Sequence, residues 1–402
     1  MPRLTDDAVA AALELAAERV TAASEAVLAA NASDLAAAGE LDEGALDRLR
    51  LDDGRLGAIA DQLQELASLP PLAREISSWR LPNGLQVSER RIPIGVVGAN
   101  FEARPNVAVD VAGQLLKSLN GAVLRTGGAA LGTVTALVDE VLRPALAEAG
   151  LPPEAVGLVR SPDREGARVL VSLPRLVPLV ILRGSGETTA ALARHAAEQG
   201  VRTLAHAEGG GVLYLSASAQ PDVVEAMIEA SLDRLGVCNR LNLLLVDRAA
   251  APALLQPVAD QLTRLGIDAR GTERAREHAS LSQLDVRLGH EWANDPEHVA
   301  TVTVDVVDGP EQAAAVANEE TSALAAAVVA DDPDVAQRFL DGYRGTAAFW
   351  QAPTRFTDGF ALTGAPETGI NVDWVPGPRG PVTYRDLWLR QYRVVGDGTQ
   401  RR

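Results

Sequence analysis

The feature that most constrains this chain is a change of period near Trp79. Before it, over residues 5 to 68, apolar residues recur at helical spacing, with Val9, Leu13, Ala16 and Val20 on one face. After it, short apolar runs alternate with helical patterns as far as residue 330. Successive strand–helix units in one sheet need crossover helices over its faces. The pattern therefore predicts an α/β protein with parallel sheets covered on both sides.

Within this frame, Thr5 ahead of Asp6 and Asp7 reads as a helix N-cap, and a second helix is expected to start at Asn31 or Ser33. "WRLPNGLQVSERRIPIGVVG" places Asn83-Gly84 between extended segments, a hairpin signal over 79–92, and runs into a strand at Ile94–Val97 closed by Gly98. Helix 106–118, strand Gly121–Leu124, helix 132–149, strands near 155–159 and 177–182, helix 187–199 and strand 212–215 follow. A second run comprises helix 222–235, strand 242–246, helix 250–266, strand 300–307, helix 310–318 and strand 324–330. We place a boundary near 218, giving an N-terminal domain (1–218), a second domain (219–380) and a C-terminal strand segment (381–402). The early hairpin and late strand together suggest an arm that docks on a neighbouring subunit.

The net charge of -17 argues against a nucleic-acid partner, which needs clustered Lys and Arg, and Lys117 is the only lysine. Hydrophobic residues make up 47% but aromatics only 3%, so the core must be built from Ala, Val and Leu. Cys238 is the only cysteine, which excludes an internal disulfide and fits a reducing compartment. The acidic N-terminus is unlike a signal peptide, and no apolar run is long enough to span a bilayer. A cytoplasmic location is expected.

Three segments carry possible chemistry. "RGSGET" (183–188) follows a strand and opens a helix, so its backbone N–H groups could face a phosphate; an ordinary glycine turn capped by Ser185 reads equally well. "GVVGAN" (95–100) is a weaker signal of the same kind. A lone cysteine is most often a small buried hydrophobe. Cys238, however, lies in "RLGVCNR" just before the strand "LNLLLV", where Arg234 and Arg240 could favour a thiolate. The histidines (195, 206, 278, 290, 298) show no metal-ligand spacing.

"RLPNGLQVSERRIPIGVVG", "FEARPNVAVDVAG", "LLKSLNGAVLRTGG", "VCNRLNLLLVD" and "TRFTDG" occur in an order and spacing that resembles the gamma-glutamyl phosphate reductases (glutamate-5-semialdehyde dehydrogenases), a branch of the aldehyde dehydrogenase superfamily. The resemblance spans essentially the whole chain. It implies an aldehyde-dehydrogenase-like fold: a Rossmann-like cofactor domain, an α/β catalytic domain across a cleft, and a β oligomerisation arm. It implies NADPH-dependent reduction of L-glutamyl 5-phosphate to glutamate-5-semialdehyde in proline biosynthesis, through a thioester on Cys238. Asn106 or Asn239, with the Cys238 backbone N–H, would donate to the oxyanion. Glu102, Arg104, Arg355 and Thr357 would meet the substrate, the two arginines by pairing with a carboxylate; a structural salt bridge is the competing reading for either. Arg125, Thr126 and Gly127, then Gly184, Ser185 and Gly186, would contact NADP, and Glu297 would hold the nicotinamide ribose. Only Arg125 in its loop could read a 2′-phosphate, so NADP against NAD stays open. A homo-oligomer (dimer or tetramer) and association with a glutamate kinase also follow from the resemblance.

The chain departs from the family pattern at Leu235 and Gly236 before the cysteine, at Asn242 where the family has Glu, at Ala323–Ala327 in place of G-H-T-E-A, at Gly211-Val212, at 350–353 and at Pro366. These departures keep two alternatives open: a paralogue acting on another acyl phosphate or aldehyde, and a non-catalytic relative serving as a scaffold. Glu208 in "HAEGGG" resembles the general base of aldehyde oxidisers, against a structural Glu at a glycine turn.

Overall fold

The computed structural model describes residues 4–39, 41, 43–184, 186–206, 209–374 and 377–400. The chain forms two compact units: Met1–Ala205 with Ala365–Gly369 and Val382–Arg402, and His206–Gly364 with Ile370–Pro381.

The first unit opens with helices α1 (Asp6–Ala22), α2 (Ser24–Ala37), α3 (Glu43–Leu49) and α4 (Asp53–Ser68). The Thr5 hydroxyl accepts from the Ala8 N–H at 3.4 Å, and Val9, Leu13, Ala16 and Val20 are buried, as the spacing predicts. The second helix starts at Ser24, not at Asn31 or Ser33. Asn31 has the composition of a cap but a different task. It is buried inside α2, donates to Leu49 O (2.9 Å) and Thr133 Oγ1 (3.2 Å), and accepts from Leu51 N (2.8 Å). Tertiary partners have overridden a local signal.

The hairpin is β1 (Glu75–Arg80) and β2 (Gln86–Pro93), antiparallel, with Gly84 at φ +89° in the turn. The C-terminal strand Trp388–Val395 pairs antiparallel with β2, so the early hairpin and late strand make one three-stranded sheet. Ile76, Trp79, Leu389, Tyr392 and Val394 are exposed on it.

The main sheet of this unit comes from β3 (Val96–Phe101), α5 (Pro105–Lys117), β4 (Gly121–Thr126), α6 (Leu131–Ala136), α7 (Arg143–Glu148), β5 (Val156–Leu158), α8 (Arg164–Leu170), β6 (Leu179–Arg183), α9 (Gly186–Gln199) and β7 (Arg202–His206). Helices α6 and α7 join through a π-helical stretch, Leu137–Leu142. It precedes Pro144, whose nitrogen cannot donate to the turn before it. The strand order is β5-β4-β3-β6-β7. The chain builds outward from β3 on one side and then returns to the other. This is the topological switch that opens a crevice at the carboxyl ends of such strands.

The second unit contains β8 (Gly211–Leu215), α10 (Pro221–Ser231), β9 (Leu241–Asp247), α11 (Ala251–Arg264), β10 (Asp268–Gly271), α12 (Glu273–Arg276), β11 (Ser282–Gln283), β12 (Thr301–Val307), α13 (Gly309–Glu320), β13 (Ala325–Val329), α14 (Pro333–Gly342) and β14 (Ala347–Trp350). They form a seven-stranded sheet in the order β11-β10-β12-β9-β8-β13-β14. Strands β8, β9, β12 and β13 are buried on both faces, between one cluster containing Leu213, Leu244, Val304 and Ala327 and another containing Tyr214, Leu243, Leu245 and Val328. Helices cover both sides of such a sheet, so its strands read as continuous apolar runs rather than alternating ones.

The boundary expected at 218 moves to 206. β8 was expected to close the first unit, but it pairs with β9 and β13 in the second sheet. The strand that does close the first sheet is β7, whose "RTLAH" carries too few apolar residues to announce itself. Among the described residues, no helix is long and apolar enough to cross a membrane.

Candidate active site

In the first unit, the residues expected to meet cofactor and substrate cluster at the carboxyl ends of β3, β4 and β6. Glu102, Ala103 and Arg104 lead from β3 into α5, which starts at Pro105, a residue suited to a first helical turn. Glu102 and Arg104 are exposed. Gly184 follows β6, and a Cβ built on it would lie 2.7 Å from Glu102 Oε1. A side chain at 184 would make Glu102 shift aside.

Arg125 is buried at the end of β4. Its guanidinium donates to Asn100 Oδ1 (3.2 Å) and to the carbonyls of Pro162 (3.4 Å) and Asp163 (3.0 Å). Burial lowers its pKa, and the nearby Glu102 opposes that shift. Arg125 therefore ties strand ends together, which leaves Arg125 Nε and Thr126 Oγ1 buried without a hydrogen-bond partner. Gly127 has open space around its Cβ position. A buried, unpartnered hydroxyl beside an open glycine suits a polar ligand such as a nicotinamide dinucleotide.

The helix starts after β4 and β6 are not equivalent. At α6, Asp34 accepts from Thr133 N (2.7 Å) and Thr133 Oγ1 (2.6 Å), and a Cβ on Gly132 would meet Asp34 Oδ1 at 2.6 Å. A carboxylate of the protein already fills the anion position there. The other start, at Gly186 of α9, belongs to the expected phosphate cradle; Ser185 lies outside the described residues, as does Glu208.

Asn106 is the second residue of α5. Its Nδ2 donates to Asp110 Oδ2 at 3.2 Å, one turn on. The Asp110 carboxyl is pushed up to about 7, first by burial, with Arg183 and the Asn106 bond opposing and Glu367 adding to the rise. The sequence reading missed Asp110. Its signal was an acid four residues beyond Asn106, within the apolar run 107–112.

In the second unit, Cys238 is half-buried on the loop between α10 and β9 and packs beside Leu324, Ala325 and Ile370. Its carbonyl accepts from Gly210 N at 2.7 Å. A Cβ on Gly209 would lie 2.5 Å from Cys238 Cβ and 2.6 Å from Glu291 Oε1, so this glycine lets the cysteine loop and Glu291 approach each other. Glu291, also missed, accepts from Gly209 N at 2.8 Å. Asn242 clamps both of its neighbours, donating to His290 O (2.7 Å) and accepting from Trp292 N (2.9 Å). A carboxylate at 242 could only accept, so the departure to Asn has a structural use here.

Asn239 is not available as an oxyanion donor. Its Nδ2 donates to the carbonyls of Arg355 and Thr357, both at 3.0 Å, and its Oδ1 accepts from Arg355 Nη1. Arg355 Nε binds Asp233 Oδ1 at 2.6 Å, so the salt-bridge reading describes this side chain, and the pair lies within one unit. Thr357 is buried, and its hydroxyl has no hydrogen-bond partner. Arg240 does not lie open beside the thiol. It is fully buried and donates to the carbonyls of Leu241 (2.7 Å), Val299 and Thr301. Burial pushes its pKa down to about 10, against the pull of Glu291. Glu297 is exposed; the acid held inside its loop is Asp295, which pairs with His290 Nε2 (3.0 Å) and His298 Nδ1 (3.2 Å). No group of side chains suited to a metal occurs among the described residues.

Comparison with known proteins bears on the family and the fold. The aldehyde dehydrogenase family model matches residues 16–281. The gamma-glutamyl phosphate reductase of Leifsonia xyli subsp. xyli is 38% identical over 97% of this chain and 92% of its own length. That of Caulobacter sp. (strain K31) is 36% identical over 97% and 93%. The crystal structure of gamma-glutamyl phosphate reductase from Thermotoga maritima superposes with a TM-score of 0.92 at 27% identity, covering 99% of this chain and 95% of that one. An acetylating aldehyde dehydrogenase from Geobacillus thermoglucosidasius, at 15% identity and a TM-score of 0.68, shares the fold. The chain therefore belongs to the gamma-glutamyl phosphate reductase family, a branch of the aldehyde dehydrogenase oxidoreductases.

Proposed function

We propose that the protein reduces L-glutamyl 5-phosphate to glutamate-5-semialdehyde, with NADPH, in proline biosynthesis. The observation that carries this reading is the placement of Cys238: half-buried, on a loop pinned by Gly210, where only glycine fits at 209. The thiolate attacks the acyl carbon, and phosphate leaves with the electrons of the broken C–O bond. The resulting thioester is reduced to a thiohemiacetal, which expels the Cys238 thiolate and releases the aldehyde. Asn106 and the Cys238 backbone N–H donate to the oxyanion of each tetrahedral state. Thr126, Gly127, Gly184, Ser185 and Gly186 would hold a nicotinamide dinucleotide, which would supply the hydride. Glu102, Arg104 and Thr357 orient the substrate. Arg125 and Arg355 act by holding their loops, and Glu297 takes no part in this reading.

The exposed three-stranded sheet of β1, β2 and the C-terminal strand would join protomers into a homo-oligomer, since exposed apolar patches of this kind mark interaction surfaces. An acyl phosphate is labile in water, so a glutamate kinase is the partner this chemistry calls for.

The test runs the reaction backwards: glutamate-5-semialdehyde, phosphate and NADP, with NADPH formation followed by absorbance. Turnover in the wild type that vanishes in Cys238→Ala supports the reading, and NAD in place of NADP compares the cofactors. A second reading, reduction of a different acyl phosphate, draws on the apolar segment Ala323–Ala327, buried where the family carries His and Glu. Cofactor binding without turnover of the semialdehyde would favour it.

A further inference from the structure

The acid on α5 is hard to account for by folding alone. Helix α5 buries Val107, Ala108, Val109, Val111, Ala112, Leu115 and Leu116, and Asp110 is its one acidic residue. It lies beyond the first turn, where an acid would cap the helix or favour its dipole. An apolar residue would pack there without the cost of bringing a carboxylate out of water. Costly titratable groups of this kind are concentrated where function requires them.

We propose that Asp110 is a positioning residue: its carboxylate fixes the Asn106 amide so that one Nδ2 hydrogen stays directed to the oxyanion. This rests on the oxyanion reading of Asn106 given above. A carboxylate can only accept, so it selects Nδ2 over Oδ1 as its neighbour. One amide hydrogen is then held by Asp110, with Nδ2 and Oδ2 3.2 Å apart, and the second is placed by the planarity of the amide. A protonated carboxyl can donate to Oδ1 instead, which lets the amide turn over and removes that selection. The charged groups facing Asp110 are Arg183 at the end of β6 and Glu367 in the segment 365–369. Arg183 favours the ionised carboxylate; Glu367 and burial favour the neutral one. Gln114, one turn further along, holds that segment to α5 by donating to Pro366 O at 2.5 Å, and it also accepts from Tyr384 N at 2.7 Å.

The experiment compares Asp110→Ala, Asp110→Asn and Asn106→Ala with the full-length wild type in the reverse assay between pH 6 and 8.5. The alkylation rate of Cys238 by iodoacetamide is measured in parallel, to separate the thiol's own titration. Wild-type kcat should rise through about pH 7. Asp110→Ala should lower kcat by about 10- to 100-fold with KM changed less than about twofold, as misplacement of a catalytic group does. Asp110→Asn keeps a side chain that can accept from Asn106 but cannot ionise. Its amide can also donate to Asn106 Oδ1, as the neutral carboxyl can, so it should hold kcat near the wild-type low-pH level at every pH and flatten the limb near pH 7, with Cys238 alkylation unchanged. Equal losses in Ala and Asn variants, with the wild-type pH profile retained, would show a packing role only and overturn the proposal. Full activity in both Asp110 variants while Asn106→Ala is impaired would also overturn it, leaving the oxyanion reading intact. Full activity in Asn106→Ala would remove the oxyanion reading itself. Thermal melts confirm folding, and the isosteric Asp110→Asn variant keeps the test decisive if the Ala variant unfolds.

Discussion

Asn239 and Asn106 began as equivalent candidates, and the structure gives them opposite surroundings. Asn239 binds the carbonyls of Arg355 and Thr357 and receives Arg355 Nη1, so its whole amide holds one loop against the next. Asn106 makes a single side-chain hydrogen bond among the described residues, to Asp110. A satisfied amide stabilises the protein; an amide with hydrogen-bonding capacity to spare can serve a reacting molecule. The helix starts after β4 and β6 teach the same lesson. Asp34 occupies the one at α6, whereas the one at α9 is the start the phosphate reading uses.

The comparison can be broken most directly at the asparagines. Asn106→Ala should lower kcat by about 100- to 1,000-fold, the usual effect of removing one oxyanion donor, with little change in Tm. An unchanged kcat would place the oxyanion donors elsewhere. Asn239→Ala should do the reverse: a stability loss of about 2–4 kcal/mol, from orphaning the Arg355 and Thr357 carbonyls and one guanidinium donor, read by denaturant melts. A kinetic loss without a stability loss would show that Asn239 touches substrate after all.

Asp110 sharpens the contrast through pH. Its folded pKa is raised from 3.8 to about 7, so the folded state binds that proton more tightly than the unfolded chain. The destabilising effect of the carboxylate is absent below the unfolded value, grows as pH rises towards 7, and is constant above it. Asp110→Asn should therefore gain Tm over the wild type progressively between about pH 4 and pH 7. A constant difference across that window would mean the carboxyl titrates normally. The smallest expected effect is at Thr357, whose buried hydroxyl has no partner. Thr357→Val should stabilise the protein by up to about 1 kcal/mol. A rise in KM with it would assign the hydroxyl to the substrate.

Much of the fold was legible because burial on both faces leaves its mark on a strand. "LNLLLV" and "TVTVDVV" could hardly be anything but central parallel strands, and Asn83-Gly84 marked the hairpin. The strand "RTLAH" was not legible, since an edge strand with Arg and His has no apolar run, and the boundary was misplaced with it. Asn31 was misread because a cap and a buried mid-helix asparagine have the same composition. In the site, the cysteine and the "EARPNV" loop were visible as motifs. Glu291 was not, because it reaches the cysteine loop through a gap left by Gly209, far away in sequence.

The sequence by itself determined the α/β class, the central strands and the hairpin, the single thiol and the family. These follow from periodicity, composition and ordered motifs, which are local properties. Only the tertiary structure decided which strands share a sheet and which polar side chains are already satisfied. Arg240, read as a charge beside the thiolate, is tied to carbonyls, and Arg355, read either as a substrate contact or as a salt bridge, is tied to an acid. A side chain's availability depends on partners that the fold brings from distant positions, and no local pattern records them.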